Sequence, residues 1–155
     1  MNIAETPKSR HMAQRPVPEL ARLPRPVYAR AEQMRLRAAT APHAHAWVQF
    51  SYASSGVLQV QTAGGLFIAP PQWAIVIAPG LEHRVVNAPH TSIRSLYIET
   101  CALPPLAQDC VVVEVAPLLR EMIRHFTTLP VEYDVHGTDG RLVQVLLDQI
   151  HAAPQ

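Results

Sequence analysis

Three histidines and one glutamine carry the chemistry this sequence offers. His43, His45 and Gln49 lie in His43-Ala44-His45-Ala46-Trp47-Val48-Gln49, and six further residues lead to Gly56. Side chains alternate faces along a strand, so on a continuous strand 43, 45 and 49 point to one side. A second segment, Ala78-Pro79-Gly80-Leu81-Glu82-His83, ends three residues short of Asn87. Pro-Gly makes a tight turn, and a histidine opening the next strand can face back across a barrel toward the first group. Imidazoles and an amide on one inner face are costly to bury unless they meet partners or a ligand. Two chemistries fit. One is a divalent transition metal, Ni, Zn, Fe or Cu, held by His43, His45, Gln49 and His83. The other is an organic ligand, or water, hydrogen-bonded to the same side chains.

The neighbours sort by the same parity. Trp47 falls with His45 and Gln49 and is the aromatic expected to line the pocket. Phe50, Tyr52, Trp73 and Tyr97 are expected in the core by default, with one or two of the strand aromatics expected to line the pocket. Glu82 and Arg84 alternate away from His83 toward solvent. His90, His125, His136 and His151 fall outside both segments and read as surface residues.

Short strands must position these groups. Proline is the compositional outlier, 15 of 155 residues, and it interrupts helices and central strands. Between Val27 and Glu99, β-rich runs recur at Val27–Arg30, Trp47–Ala53, Val57–Gln61, Leu66–Ala69, Ala74–Ile77, Arg84–Asn87 and Ser92–Glu99, separated by Gly, Pro and Ser turns. Many short strands at such spacing indicate a sandwich or barrel. A last run, Val111–Val115, leads into helical spacing. Val115, Leu118, Leu119, Met122, Ile123 and Phe126 form one apolar stripe, with Pro117 tolerated in the first turn. A second helix is expected from about Asp139 to His151, capped by Thr138 or Asp139, with Leu142, Val143, Leu146, Leu147 and Ile150 on its apolar face. Either stripe packs on its own barrel or meets a twin across a two-fold axis. Residues 1–25, with four prolines and Pro26 just beyond, and with little apolar pattern, read as a flexible arm with a short helical turn near Glu19–Leu23.

Composition narrows the function classes. Apolar residues make up 48% and charged residues 16%, which gives a core and argues against a disordered chain. A net charge of +1 lacks the basic excess of a self-sufficient nucleic-acid-binding domain. Cys101 and Cys110 form no C-x-x-C and read as two free thiols in a reducing cytoplasm rather than a disulfide framework. The first fifteen residues have no apolar signal-peptide region, and no run approaches membrane-spanning length.

The two histidine segments resemble the motifs of the cupin superfamily. His43, His45 and Gly56 match the first motif, with Gln49 where glutamate is expected and Ala38 where its leading glycine stands. Gly80, His83 and Asn87 match the second, with Pro79 one place late and Gln72 in place of its leading glycine. The run Gln49-Phe50-Ser51-Tyr52-Ala53-Ser54-Ser55-Gly56, then Pro70-Pro71-Gln72-Trp73-Ala74, Ile77-Ala78-Pro79-Gly80-Leu81-Glu82-His83 and Arg94-Ser95-Leu96-Tyr97, is similar to the N-terminal sensor domain of AraC-type bacterial transcription regulators. Val113–Glu121 extends the likeness into the helices.

The resemblance implies a mainly β fold, a cupin jelly-roll barrel (double-stranded β-helix) over 26–115 with a helical segment over 116–151. It implies a cytoplasmic, non-enzymatic sensor of a small effector or metal that pairs as a homodimer through Leu118, Leu119, Met122, Ile123 and Phe126. Residues 152–155 would then begin a linker to a DNA-binding helix-turn-helix domain absent from this chain. The alternative is a small metal-dependent cupin enzyme of dioxygenase or isomerase type, for which Gln49 removes the usual acidic ligand.

Overall fold

A computed structural model of the chain describes residues 12–106 and 109–155. Among the described residues, ten strands precede two helices: β1 (Ala13–Gln14), β2 (Val27–Met34), β3 (Ala38–Ala39), β4 (Val48–Ser55), β5 (Leu58–Thr62), β6 (Gly65–Ala69), β7 (Trp73–Ile77), β8 (Arg84–Asn87), β9 (Thr91–Ile98), β10 (Cys110–Glu114), α1 (Pro117–Phe126) and α2 (Thr138–His151). They form two five-stranded sheets, ordered β1-β3-β8-β5-β6 and β10-β7-β4-β9-β2. This is the jelly-roll expectation with its C-terminal helices. The eight long strands fall on the β-rich runs. The two-residue strands β1 and β3 were not expected, since neither Ala13–Gln14 nor Ala38–Ala39 carries a pattern.

Alternation in the second sheet divides the apolar residues into two cores. Leu58, Val60, Ile75, Ile77, Val85 and Ile93 fill the space between the sheets. Val48, Phe50, Tyr52, Leu96 and Ile98 point the other way, onto Leu119, Ile123, Phe126, Leu146 and Ile150 of the helices. Four of the five residues expected at a dimer face, Leu119, Met122, Ile123 and Phe126, are therefore buried in the chain's own core, and only Leu118 is exposed. The reason is geometric: the outer face of the second sheet is itself apolar and needs a cover. Pro117 opens α1 as expected, while α2 starts from Gly137 with no side-chain cap.

Gly56 follows a register shift at Ala53/Ser55 and has φ +82°. A Cβ there would lie 2.2 Å from Thr91 Oγ1, so only glycine fits. Asn87 is fully buried and donates to the carbonyls of Leu36 and Ala88 at 3.0 and 2.9 Å, which ties two loops to β8.

The expected free arm is docked over its described part, while residues 1–11 lie outside the described residues. β1 pairs in parallel with β3, and Arg15 N–H donates to Ala39 O at 2.8 Å. The Arg15 side chain, 5% exposed, donates to both carboxylate oxygens of Glu32 on β2. Farther along, Leu23 is buried and Arg25 donates to Tyr133 O at 3.0 Å. No helical turn forms near Glu19 to Leu23. The two anchors hold that stretch extended across the barrel mouth.

Candidate functional site

The continuous strand expected over 43–49 is absent, because β4 starts at Val48. The histidines still converge, and backbone pairing is the cause. His43 N–H donates to His83 O at 3.0 Å and His83 N–H to His43 O at 2.9 Å. Gly80 N–H donates to His45 O at 2.8 Å, made possible by its φ of +76° in the Pro-Gly turn. These three bonds join the two motif segments directly.

Ring centroids lie 4.4 Å apart for His43 and His83, 5.0 Å for His45 and His83, and 5.7 Å for His43 and His45. One nitrogen from each lies within 4.8 Å of the other two. Each Nδ1 sits on a backbone carbonyl: His43 on Ala41 O at 2.8 Å, His45 on Trp47 O at 3.1 Å, His83 on Leu81 O at 2.8 Å. A carbonyl only accepts, so each Nδ1 carries the proton and each Nε2 keeps its lone pair. The same arrangement orients imidazoles in metal centres.

The three Nε2 atoms differ in their partners. His83 Nε2 is buried and, among the described residues, unpaired. His45 Nε2 lies 2.9 Å from the Gln49 amide oxygen, and the amide nitrogen lies 3.0 Å from Ser51 Oγ, itself 2.8 Å from Ser95 Oγ. A neutral imidazole cannot donate at both nitrogens. With Nδ1–H on Trp47, the amide satisfies His45 by a half-turn that brings its NH2 to the ring. Its oxygen then accepts from Ser51.

Burial, opposed by the Leu81 carbonyl and reinforced by His43 and His45, pushes His83 down to about 4. Burial also holds His45 below its usual value, against its hydrogen bond to the Trp47 carbonyl and helped by the nearby His43.

Trp47 stacks on His45 at 5.1 Å with 7° between the planes, although a bend before β4 rather than a strand brings it there. Its buried Nε1–H has no partner among the described residues. Tyr97 is buried as expected and also joins the wall, 5.7 Å from His45 and 6.0 Å from Trp47. Its pairing with Gln49 across β4 and β9 is the signal, but register is invisible before the sheet is known. The remaining wall, Val17, Pro18, Glu19 and Leu20, comes from the docked arm and closes a cavity of about 160 Å³ over His43 and His45. Nothing in the sequence of that stretch announces the role.

Other expected assignments are placed as follows. Glu82, His90, His125, His136 and His151 are exposed, and Arg84 is half-buried. Cys101 and Cys110 are free, and burial followed by the charge of Asp109 raises the Cys110 thiol to about 12. An apolar cleft lined by Val48, Val76, Pro79, Leu103 and Leu106 lies apart from the histidine-lined cavity.

Comparison with known proteins places the family and the fold. The profile of the AraC-like ligand binding domain family matches residues 25–151. The HTH-type transcriptional regulator NimR of Escherichia coli (strain K12) is 29% identical over 113 residues, 73% of this chain and 41% of that protein. Apo ToxT K231A from Vibrio cholerae strain SCE256 superposes with a TM-score of 0.61 at 7% identity, covering 81% of this chain and 54% of that one. Wild-type ToxT from the same strain with an unsaturated fatty acid bound gives 0.56 at 7% identity, over 80% and 52%. The chain thus spans about two fifths to one half of these relatives. Among the described residues, no helix is long and apolar enough to cross a membrane.

Proposed function

The chain belongs to the AraC-like ligand binding domain family, and from that premise we propose that it senses a small effector or a divalent metal in the histidine-lined cavity and biases a DNA-binding unit. The observation that carries this reading is the cluster itself: three imidazoles with Nδ1 spent on carbonyls, and one Nε2 buried without a partner among the described residues. A buried lone pair of that kind costs free energy until a ligand meets it. NimR, an HTH-type regulator, supports the regulatory role, and the fatty-acid complex of ToxT supports effector binding within this fold.

The donor set fits a metal. Neutral imidazole suits Zn, Ni, Cu and Fe. At the usual metal–nitrogen distance, tetrahedral neighbours are about 3.4 Å apart, so the three rings need to draw in only modestly. His43, His45 and His83 would hold the ion, with Gln49 as a neutral fourth ligand once it releases His45. The ion would contribute a fixed positive charge beneath the arm.

DNA contact and cytoplasmic location follow from the regulator reading. Pairing of two copies is part of the proposal and would rest on the exposed Leu118 and Val145 of the helices, not on the buried stripe. A metal-dependent enzyme is the competing class.

The test is thermal unfolding with a panel of divalent metals and small effectors. A ligand at a hundred times its Kd adds about 2.7 kcal/mol. The double variant His43→Ala/His83→Ala should lose that gain while still folding. A gain that survives in the double variant removes the cavity assignment, and stoichiometric iron with turnover of an organic substrate would favour the enzyme.

A further inference from the structure

We propose that Glu19, on the docked arm, supplies the carboxylate that the histidine cluster lacks, so that a divalent ion held by His43, His45 and His83 also fastens the arm across the barrel mouth. This rests on the reading of the cluster as metal-accepting.

The cluster is short of charge. Its ligands are three neutral imidazoles and an amide, and a dication in a half-buried site is poorly compensated by neutral donors. Glu19 is the one acid among the residues lining the cavity, together with His43 and His45. Its side chain is exposed and has no hydrogen bond or ion pair among the described residues, so it is available.

The arm is built to hold Glu19 in place. The Arg15–Glu32 pair anchors one end, and buried Leu23 with the Arg25–Tyr133 hydrogen bond anchors the other. Pro16 and Pro18 fix φ between the anchors, so little chain entropy remains to be lost when the carboxylate engages. Glu82 neighbours His83 in sequence but is exposed and does not line the cavity. A carboxylate oxygen added to three imidazoles suits Zn, Fe or Ni more than a soft monovalent ion. Linkage is reciprocal: if the ion tightens the arm, the docked arm tightens the ion by the same factor.

Cobalt(II) serves as the probe, since its visible absorption reports the ligand set. The whole chain is titrated as wild type, Glu19→Gln and Glu19→His, with circular dichroism as the folding check. Tryptic cutting after the exposed Arg22 is timed with and without the ion. Trypsin does not cut before proline, so Arg15-Pro16 and Arg25-Pro26 resist and Arg22 is the informative bond. The wild type should bind cobalt, and binding should slow the cut. Glu19→Gln should bind at least about tenfold more weakly, the scale of losing one supporting group at a metal, with an altered spectrum and no protection of Arg22. Glu19→His restores a ligand atom without the charge, so its affinity should fall between those of the wild type and Glu19→Gln. Equal affinity and equal protection in wild type and Glu19→Gln would overturn the role of Glu19 while leaving the histidine site intact. Loss in Glu19→His as deep as in Glu19→Gln would overturn ligation in favour of a remote charge effect. No cobalt binding by the wild type would remove the metal reading itself, and this inference with it.

Discussion

The two faces of β4 do different work. Val48, Phe50 and Tyr52 face the helices and are closed over by Leu119, Ile123, Phe126 and Leu146. Gln49, Ser51 and Ala53 alternate with them and face the barrel interior, where a polar chain runs from His45 through Gln49 and Ser51 to Ser95. One strand thus gives its even positions to stability and its odd positions near the mouth to a site. The lesson is that period-2 alternation lets a small domain carry a polar cavity without breaking its larger core.

The sharpest way to break the comparison is to empty each face in turn. Phe50→Ala should cost about 3–5 kcal/mol, since the ring is fully buried and leaves a cavity. Gln49→Ala should cost far less, about 1 kcal/mol, because its loss frees His45 to other partners. Urea unfolding of both variants checks this, and equal losses would erase the distinction between the faces.

The next largest effect is pH. His83 is held at about 4 in the folded chain against 6.5 ordinarily. Between those values the unfolded chain binds more protons, so stability is full above 6.5 and falls as pH drops toward 4. The loss from His83 alone is about 3 kcal/mol, and the lowered His45 adds to it in the same direction. Glu32 is also held low: burial pushes it up, but the Arg15 hydrogen bond and the charges of Arg15 and Arg30 outweigh this. It loses stability only as pH falls below the ordinary glutamate value of 4.5. Denaturant midpoints should therefore fall from pH 6.5 toward 4 in the wild type and fall less steeply in His83→Gln, where His45 still contributes.

Gln49→Glu sharpens the contrast from the site side. Adding a negative charge beside the imidazoles should raise affinity for Zn or Co at least about tenfold, read by competition with a chelating dye. Unchanged affinity would separate Gln49 from the cluster. The smallest effect is on the backbone. Gln72 has φ +72°, a left-handed conformation that glycine adopts at less cost. Gln72→Gly should be neutral or stabilising by up to about 1 kcal/mol, measured by thermal unfolding.

Much of the fold was legible. The long strands fell on the β-rich runs because alternation and turn residues are local signals. The glycine missing from the second motif's start, Gln72, was legible as a departure, and its positive φ shows what the glycine was for. The dimer stripe was misjudged because periodicity marks an apolar face without saying what covers it. Trp47 reaches the cavity wall from a bend rather than by strand parity, and the place of Tyr97 depends on register with Gln49. The arm residues 17–20 were missed because a wall built from Val-Pro-Glu-Leu has no pattern of its own.

The sequence by itself determined the elements and the identity of the three imidazoles, since both depend on spacing along the chain. Tertiary structure alone decided that the imidazoles meet through backbone pairing of two distant loops rather than along one strand. It also decided that α1 faces its own sheet and that Glu19 stands over the mouth. Contacts of this kind are set by which surfaces are left uncovered once the sheets close, and no local pattern encodes that.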